Sequence, residues 1–178
     1  MSKKVVIISS TPRVNGNSHV LSKEFKRGAE DAGNEVELIS LRENKINYCI
    51  GCYYCQSNGR CFQNDGMNEI LEKIVEADVL VFATPVYFYD VVGQMKTFID
   101  RIFPKYEKIE NKDMYLIATA GENDKEAVSG AVNTINGFLD CVENVKLKGV
   151  LYGIGLHEVG EAEKSDKAIE AYEMGRNI

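Results

Sequence analysis

Four cysteines stand close together in the first half of the chain. They are Cys49, Cys52, Cys55 and Cys61, and their spacing is Cys-x2-Cys-x2-Cys-x5-Cys. Three closely spaced thiolates and a fourth are typical of sequences that wrap one cubane [4Fe–4S] cluster. Closed four-cysteine zinc sites usually use two separated pairs, so the spacing favours zinc less. The sequence therefore predicts these four residues as candidate ligands of an iron–sulfur cluster.

Two other uses of the same thiols stay open. Cys52 and Cys55 form a Cys-x-x-Cys unit that would suit a redox-active disulfide, although no helix is evident after it to stabilise a thiolate. Free thiols in a loop that faces a substrate are the other alternative. The fifth cysteine, Cys141, lies beside Leu139 and Val142 in a helical stretch, and we expect it to be a small buried residue.

A polar loop follows the first apolar run and precedes a helical stretch. Residues 9–19 read Ser-Ser-Thr-Pro-Arg-Val-Asn-Gly-Asn-Ser-His. Free backbone N–H groups and the positive end of a helix dipole at this position favour a phosphate group. The loop lacks both the lysine of a nucleoside-triphosphate loop and the Gly-x-Gly-x-x-Gly dinucleotide fingerprint. The alternative is an ordinary turn with a helix cap at Asn17 or Ser18.

An aromatic loop lies further along the chain. Residues 84–90 read Thr-Pro-Val-Tyr-Phe-Tyr-Asp, and three rings beside backbone polar groups suit a flat heteroaromatic ring with polar edges. Taken alone, such aromatic residues more often pack in a core or an interface. Together with a phosphate loop across the same crevice, they indicate flavin mononucleotide (FMN).

The elements that position these loops follow from the apolar pattern. Apolar runs alternate with helical periodicity, which is typical of an α/β fold with a parallel sheet. Nearly unbroken apolar runs predict three central strands, and two alternating runs predict edge strands; in chain order the five strands are residues 5–8, 35–40, 79–83, 114–118 and 145–151. The order 2-1-3-4-5 of a doubly wound, flavodoxin-like three-layer sandwich fits, and it places the ligand crevice between strands one and three.

Length and composition exclude several classes of protein. The chain has 178 residues, a net charge of −6 and 44% apolar residues, which suits one domain over residues 1–178 with a real core. No basic run is present, so a nucleic-acid partner is not expected. The longest apolar run near the start is too short for a signal peptide or a membrane span. We therefore expect a cytoplasmic protein with no membrane association, where clustered cysteines serve metals or redox chemistry.

Four segments carry a resemblance to a known family. In chain order they are Ser-Thr-Pro-Arg-x-x-Gly-Asn-Ser at 10–18, the cysteine loop ending near Asp-Gly-Met at 65–67, Ala-Asp-x5-Thr-Pro-Val-Tyr at 77–87, and Gln-x-Lys-x-Phe-Ile-Asp-Arg at 94–101. Together they resemble the NADPH-dependent FMN reductase and iron–sulfur flavoprotein family. The resemblance covers roughly residues 4–122 and is loose thereafter.

The resemblance implies a flavodoxin-like fold, FMN as cofactor, and a homodimer or homotetramer in which neighbouring subunits help to enclose the flavin. Around the FMN phosphate it implies residues of the first loop, namely Ser10, Thr11, Arg13, Asn15, Asn17 and Ser18. Along the isoalloxazine ring it implies Pro85, Val86, Tyr87 and Phe88, and in a third flavin-facing loop Ala120 and Gly121. Ser10 stands where the family often has glycine, which puts the turn geometry there in doubt.

The expected activity is that of an FMN-dependent oxidoreductase. NAD(P)H would reduce FMN, which would reduce a quinone, a flavin or another small acceptor, and backbone N–H groups of residues 86–89 would stabilise the reduced ring. One alternative is an iron–sulfur flavoprotein that passes single electrons between a [4Fe–4S] cluster and FMN, with a redox carrier protein as partner. Another is a non-enzymatic, flavodoxin-like carrier. His19 either touches the phosphate or faces solvent, His157 receives no role, and Asp100 is interpreted as structural.

Overall fold

A five-stranded parallel sheet, extended by one short antiparallel strand, organises the chain. The computed structural model describes residues 2–178. Its strands are β1 (Lys4–Ser9), β2 (Glu35–Ser40), β3 (Val79–Tyr87), β4 (Asp90–Val91), β5 (Asp113–Thr119) and β6 (Lys146–Gly153). The strand order is β2-β1-β3-β5-β6, and β4 pairs antiparallel with the end of β3. The predicted flavodoxin-like order of five parallel strands is confirmed, while β4 is an addition that the sequence pattern did not predict.

Helices pack against both faces of this sheet, except for the short α2, which has no buried residue. They are α1 (Asn17–Asp31), α2 (Tyr54–Asn58), α3 (Met67–Glu76), α4 (Gly93–Asp100), α5 (Ser129–Leu139), α6 (Glu161–Lys164) and α7 (Asp166–Arg176), with single 3₁₀ turns at Tyr106–Lys108 and Lys125–Val128. In the part of the chain that the structure describes, no helix is both long enough and apolar enough to cross a membrane.

The central strands are buried on both faces because the residues in the middle of each strand are almost all apolar. Neighbouring residues of β3 enter different cores: Phe82 packs with Phe98 on one face of the sheet, and Val81 packs with Phe25 on the other. The edge strand β2 alternates exposed and half-buried residues before its end is buried. The alternating apolar pattern therefore placed β2 and β6 at the edges correctly.

Helix α1 is held unusually close to the C-terminal helix α7. A Cβ atom at Gly28 would lie 2.0 Å from the carbonyl oxygen of Tyr172, and one at Gly175 would lie 2.0 Å from that of Phe25. Only glycine allows the two backbones to approach this closely. The contact fixes α1, whose first turn ends the polar loop at residues 10–18.

Candidate functional site

The polar loop after β1 and the end of β3 are joined directly. The backbone N–H and the hydroxyl of Ser10 both donate to the carbonyl oxygen of Ala83, at 2.9 and 3.0 Å. Thr84, which follows Ala83, begins the aromatic segment. The two predicted ligand loops therefore meet at the carboxyl edge of β1 and β3, as the strand order requires.

Glycine closes the polar loop into a tight turn before α1. Asn15 has a φ of 52°, and Gly16 stands at the N-cap of α1 without a side-chain cap. A Cβ atom at Gly16 would lie only 2.3 Å from the Thr11 Oγ1 atom. The loop folds back on itself so closely that a larger residue at position 16 would displace Thr11.

The first turn of α1 contains a buried hydroxyl without a partner. Ser18 is 0% exposed, and its Oγ atom forms no hydrogen bond within residues 2–178. The backbone N–H groups of His19 and Val20 both donate to the Gly16 carbonyl. The N–H groups of Asn17 and Ser18, at the very start of α1, have no carbonyl partner within the helix. An unpaired buried hydroxyl is costly. A phosphate at this helix end would supply its acceptor, so the residues present fit that group.

Two of the residues predicted to bind the phosphate also contact residues 157–162, a segment to which the sequence gave no role. The Asn17 amide donates to the Glu158 carbonyl at 2.9 Å and accepts from the Ala162 N–H at 3.2 Å. Arg13 donates to the His157 carbonyl at 3.0 Å. The segment after β6 is thus tied to the polar loop through its backbone, which explains why its side chains gave no sequence signal.

His19 is half-buried and faces the sheet. Its Nδ1 atom lies 3.0 Å from the Ser9 hydroxyl. Burial lowers the pKa of the imidazole, and the nearby Lys23 lowers it further. The ring therefore contacts Ser9 while it stays partly open to solvent, and a contact of His19 with a phosphate stays a prediction.

The aromatic segment is a β-hairpin rather than a loop. Val86 pairs with Val91 and Tyr87 with Asp90, while Phe88 and Tyr89 form the turn with φ values of 52° and 64°. Such a two-residue turn normally uses Asn and Gly, because both positions need a positive φ. Phe88 is fully exposed at its tip. Backbone strain of this kind persists where the surroundings impose it, and it is often found at functional sites.

Contacts with α5 and with Thr84 impose the hairpin conformation. The Val92 N–H donates to Thr84 Oγ1 at 3.2 Å, and Thr134 of α5 donates to the Asp90 carboxylate at 2.7 Å. The first turn of α5 approaches so closely that only Gly130 fits beneath the Tyr89 carbonyl. The hairpin that carries the aromatic tip is therefore held in place by Thr84 and by α5.

The third predicted loop, after β5, packs against the same segment that binds Arg13. The Ala120 N–H donates to the Gly153 carbonyl at 3.1 Å, and the Ala120 carbonyl accepts from Leu156 at 2.9 Å. A Cβ atom at Gly121 would lie 2.9 Å from the ring of His157. Ala120 and Gly121 are thus brought to the carboxyl edge of the sheet, beside the other two loops.

The four clustered cysteines share one cavity of about 900 Å³. Cys49 and Cys52 are exposed, Cys55 and Cys61 are half-buried, and all are free thiols. Across residues 2–178, however, no group of three or more His, Cys, Asp or Glu side chains is arranged to hold a metal ion. The cavity brings the four predicted ligands together on one surface, and the cluster itself stays a prediction.

Two expectations about the thiols are corrected by the structure. A short helix, α2, does begin at Tyr54, inside the Cys-x-x-Cys unit, and contains Cys55, although no helix was evident from the sequence. Even so, burial raises the pKa of the Cys55 thiol, and the neighbouring cysteines raise it further. Cys141 is exposed rather than buried, because it follows the end of α5 and lines the same cavity.

The cavity is mostly apolar and aromatic. Phe103 stacks on Tyr106 with ring centroids 5.5 Å apart and meets Tyr53 edge-on at 6.4 Å. Tyr54 and Phe62 form a further edge-on pair at 6.0 Å. The face of the molecule around the cysteines therefore exposes several large apolar side chains.

A buried ion pair joins the cysteine region to α4. Arg101 donates to both carboxylate oxygens of Asp65, at 2.8 and 2.9 Å, and the two side chains are only 2% and 7% exposed. Burial opposes the charge on Asp65, but the hydrogen bonds from Arg101 and from the Asn47 N–H, together with the guanidinium charge, outweigh it and lower the pKa of the carboxyl. Asp100 instead pairs with Lys96 at the surface, which agrees with a structural role.

Comparisons with known proteins agree with this arrangement. Residues 3–143 match the profile of the family described as NADPH-dependent FMN reductase. The chain is 37% identical over 135 residues to an iron–sulfur flavoprotein of Archaeoglobus fulgidus, a stretch that spans 74% of this chain and 61% of that relative. It is 30% identical over 131 residues to a putative NAD(P)H-dependent FMN-containing oxidoreductase of Bacillus subtilis, spanning 68% and 69% of the two chains.

The fold has solved counterparts. The structure of an NAD(P)H:quinone oxidoreductase from Methanothermobacter marburgensis superimposes with a TM-score of 0.76 at 21% identity, covering 99% of this chain and 96% of the other. At this identity the likeness establishes the shared fold.

Proposed function

The chain belongs to the NADPH-dependent FMN reductase family, and from that premise we propose that it is an FMN-dependent oxidoreductase that takes electrons from NAD(P)H and passes them to a small acceptor of the quinone or flavin class. The observation that carries the proposal is the buried, unpartnered Ser18 hydroxyl at the start of α1. Ser18 ends the polar loop, and Ser10 of the same loop is hydrogen-bonded to Ala83 in β3, the strand that leads into the aromatic hairpin.

The polar loop would hold the FMN phosphate. Within residues 2–178, the Ser18 hydroxyl and the N–H groups of Asn17 and Ser18 are donors without another partner, and the close Gly16 turn keeps Thr11 beside them. Arg13 is exposed and has donors left after its bond to His157. The Asn17 amide is already engaged on both sides, so its contribution would come from its backbone N–H.

The hairpin and the loop after β5 would border the isoalloxazine ring. Pro85, Val86, Tyr87 and Phe88 lie at the carboxyl end of β3 and in the turn, and Ala120 and Gly121 lie after β5. Bound FMN supplies hydride and single-electron chemistry. Backbone N–H groups of residues 86–89 would stabilise negative charge on the reduced ring, so no side-chain acid or base is required.

The full exposure of Phe88 supports the proposal of a homodimer or homotetramer. An aromatic ring held in water by a strained turn gains stability when another surface covers it. A second copy that covers the hairpin would also exclude water from the flavin crevice. Sedimentation of wild-type protein and of Phe88→Ser would test this, since a variant with unchanged mass would contradict it.

A second candidate function, single-electron transfer through a [4Fe–4S] cluster, is favoured by the shared cavity of Cys49, Cys52, Cys55 and Cys61. Four thiols are the donor set that iron–sulfur clusters use. In this version a redox carrier protein would deliver or receive the electrons. The apolar aromatic rim of the cavity would suit contact with such a protein.

Anaerobic purification separates the two candidates. We would measure FMN, iron and sulfide per chain, and then NADPH and NADH oxidation with a quinone acceptor, for the wild type and for Cys52→Ser. The reductase version predicts turnover that Cys52→Ser retains, whereas the cluster version predicts iron that the variant loses together with carrier-dependent electron transfer. Cys141→Ser is the matched control, since Cys141 lines the cavity outside the four-cysteine spacing. FMN binding without any turnover would indicate a non-enzymatic carrier.

A further inference from the structure

The segment between β6 and α6, residues 154–160 and here called the β6–α6 loop, determines where the Arg13 side chain lies. The His157 carbonyl of this loop accepts from the Arg13 Nη1 atom at 3.0 Å. Arg13 is exposed, and within residues 2–178 this is the only hydrogen bond of its side chain. The direction of the His157 carbonyl therefore sets the position of the guanidinium beside the polar loop.

That carbonyl is oriented by Glu161, the first residue of α6. The Oε2 atom of Glu161 accepts from the backbone N–H of His157 at 2.7 Å and from that of Glu158 at 2.9 Å. The His157 carbonyl and the Glu158 N–H belong to one planar peptide group, in which C=O and N–H point in opposite directions. By binding the N–H on one side of this peptide, Glu161 turns the carbonyl towards Arg13 on the other.

The hydrophobic core does not fix this peptide group. Leu156 and Ala162, on either side, are buried in the same core as α1. His157 and Glu158 between them are exposed. The conformation of the exposed part therefore depends on the two hydrogen bonds to the Glu161 carboxylate, which are strengthened by its charge.

We propose that Glu161 is a positioning residue for the FMN phosphate, and that it acts through the His157 carbonyl and Arg13. The inference rests on the proposed function, because it takes the polar loop as the phosphate site. The bond to His157 leaves the guanidinium with further N–H donors for phosphate oxygens. A long side chain that is already held in place loses less freedom when the ligand binds, so the ligand binds more tightly.

The charge of Glu161 by itself predicts the opposite effect. A carboxylate near a phosphate repels it, so removal of the charge alone would strengthen FMN binding. Glu161→Gln separates the two effects, because glutamine keeps an oxygen that can accept from both N–H groups and carries no charge. Glu161→Ala removes the charge and the acceptor together.

The test titrates FMN and riboflavin, which lacks the phosphate, into the wild type and its variants. We expect Glu161→Ala to raise the FMN dissociation constant roughly 3–10-fold and to leave riboflavin binding unchanged. Glu161→Gln should bind FMN at least as tightly as the wild type. The matched control is Glu163→Ala, which removes an exposed carboxylate from the same short helix and should not weaken FMN binding. Glu161→Asp, whose carboxylate is one methylene shorter, replaces Glu161→Ala if that variant does not fold, and the same loss confined to FMN is expected.

A double-mutant cycle with Arg13→Ala tests whether Glu161 acts through Arg13. In the Arg13→Ala background the Glu161→Ala change should have no further effect on FMN affinity. Additive losses, an equal loss for FMN and riboflavin, or a Glu161→Gln protein as weak as Glu161→Ala would overturn the inference. Wild-type protein that binds FMN no better than riboflavin would overturn the phosphate site and the role of Glu161 together. Bound FMN that neither NADPH nor NADH reduces would contradict the reductase function alone.

Discussion

A Cβ atom at Gly130 would lie 2.2 Å from the carbonyl oxygen of Tyr89. The turn of the aromatic hairpin therefore rests directly on the first turn of α5, with no room for another carbon atom. This contact explains how Phe88 and Tyr89, neither of them glycine, both hold a positive φ. It also makes the position of the proposed flavin-bordering residues depend on a helix that has no other predicted part in the site.

Replacing Gly130 by Ala should displace the hairpin and weaken FMN binding. Overpacking of this kind costs about 1–3 kcal/mol, and we expect the FMN dissociation constant to rise by roughly tenfold, equivalent to about 1.4 kcal/mol. Fluorescence titration with FMN measures this. Gly137→Ala is the control on the same helix, since a Cβ atom there meets nothing within 4 Å. It should leave FMN binding unchanged and raise stability by up to about 1 kcal/mol.

Ser18→Ala should show how much the phosphate contributes to the affinity for FMN, separately from the rest of the FMN molecule. The variant loses the buried hydroxyl that lacks a protein partner, so the free energy of unfolding without FMN should not decrease. A hydrogen bond to a charged group contributes about 1.5–3 kcal/mol, so FMN affinity should fall by roughly 10–100-fold. Riboflavin, which has no phosphate, should bind the variant and the wild type equally. An equal loss for both ligands would place Ser18 away from the phosphate.

Asp65→Asn should destabilise the fold strongly at neutral pH, because it leaves the Arg101 charge buried without its partner. Breaking a buried pair costs about 3 kcal/mol or more. The pKa of Asp65 is lowered in the folded protein, so its contribution is fully present above the ordinary value of about 4 and is lost as the pH falls through the folded-state value. Urea unfolding at neutral and at acidic pH should show the difference between variant and wild type shrinking in acid.

Asp100→Asn provides the matched control for that experiment. Asp100 pairs with Lys96 on the surface, where the two side chains are 46% and 56% exposed. Exposed pairs of this kind contribute about 0.5 kcal/mol or less. If Asp100→Asn were as destabilising as Asp65→Asn, the distinction between the buried and the exposed pair would be wrong.

His19 should make the FMN-free protein sensitive to mildly acidic pH. Burial and Lys23 lower the pKa of the imidazole below its ordinary value of 6.5. The unfolded chain therefore binds the proton first, and stability should decrease as the pH falls from 6.5 towards the folded-state value. His19→Asn, which keeps a hydrogen-bonding group near Ser9, should reduce this slope. Unfolding curves at several pH values measure it, and equal slopes for the two proteins would contradict the assignment.

The order of the five parallel strands was predictable because burial on two faces demands apolar residues at every position. The hairpin was not predictable in the same way. Its turn residues, Phe88 and Tyr89, contradict local turn preferences, and their conformation depends on Gly130 and Thr134, more than 40 positions along the chain. Local sequence patterns carry no information about such a contact.

In the rest of the candidate site, too, local patterns predicted some residues, whereas residues that depend on distant contacts were not predicted. The types of residues 10–18 and their place before a helix predicted a phosphate-binding loop, and the structure places this loop at the carboxyl edge of β1 and β3. The buried position of Arg101 was not predicted. Its partner Asp65 lies 36 positions away, and an arginine next to Asp100 looks like half of a surface ion pair. The prediction of a buried Cys141 was wrong because its apolar neighbours suggested burial, whereas α5 ends at Leu139 and Cys141 lies exposed beyond it.

The proposed reductase activity is tested by anaerobic reduction of the FMN-loaded protein by NADPH, followed by visible absorbance. We expect the protein to bind FMN tightly and NADPH, or NADH, to bleach the flavin bands completely within a single mixing experiment, with the colour restored by a quinone. A protein that binds no FMN, or whose bound FMN is reduced by dithionite and by neither pyridine nucleotide, would contradict it.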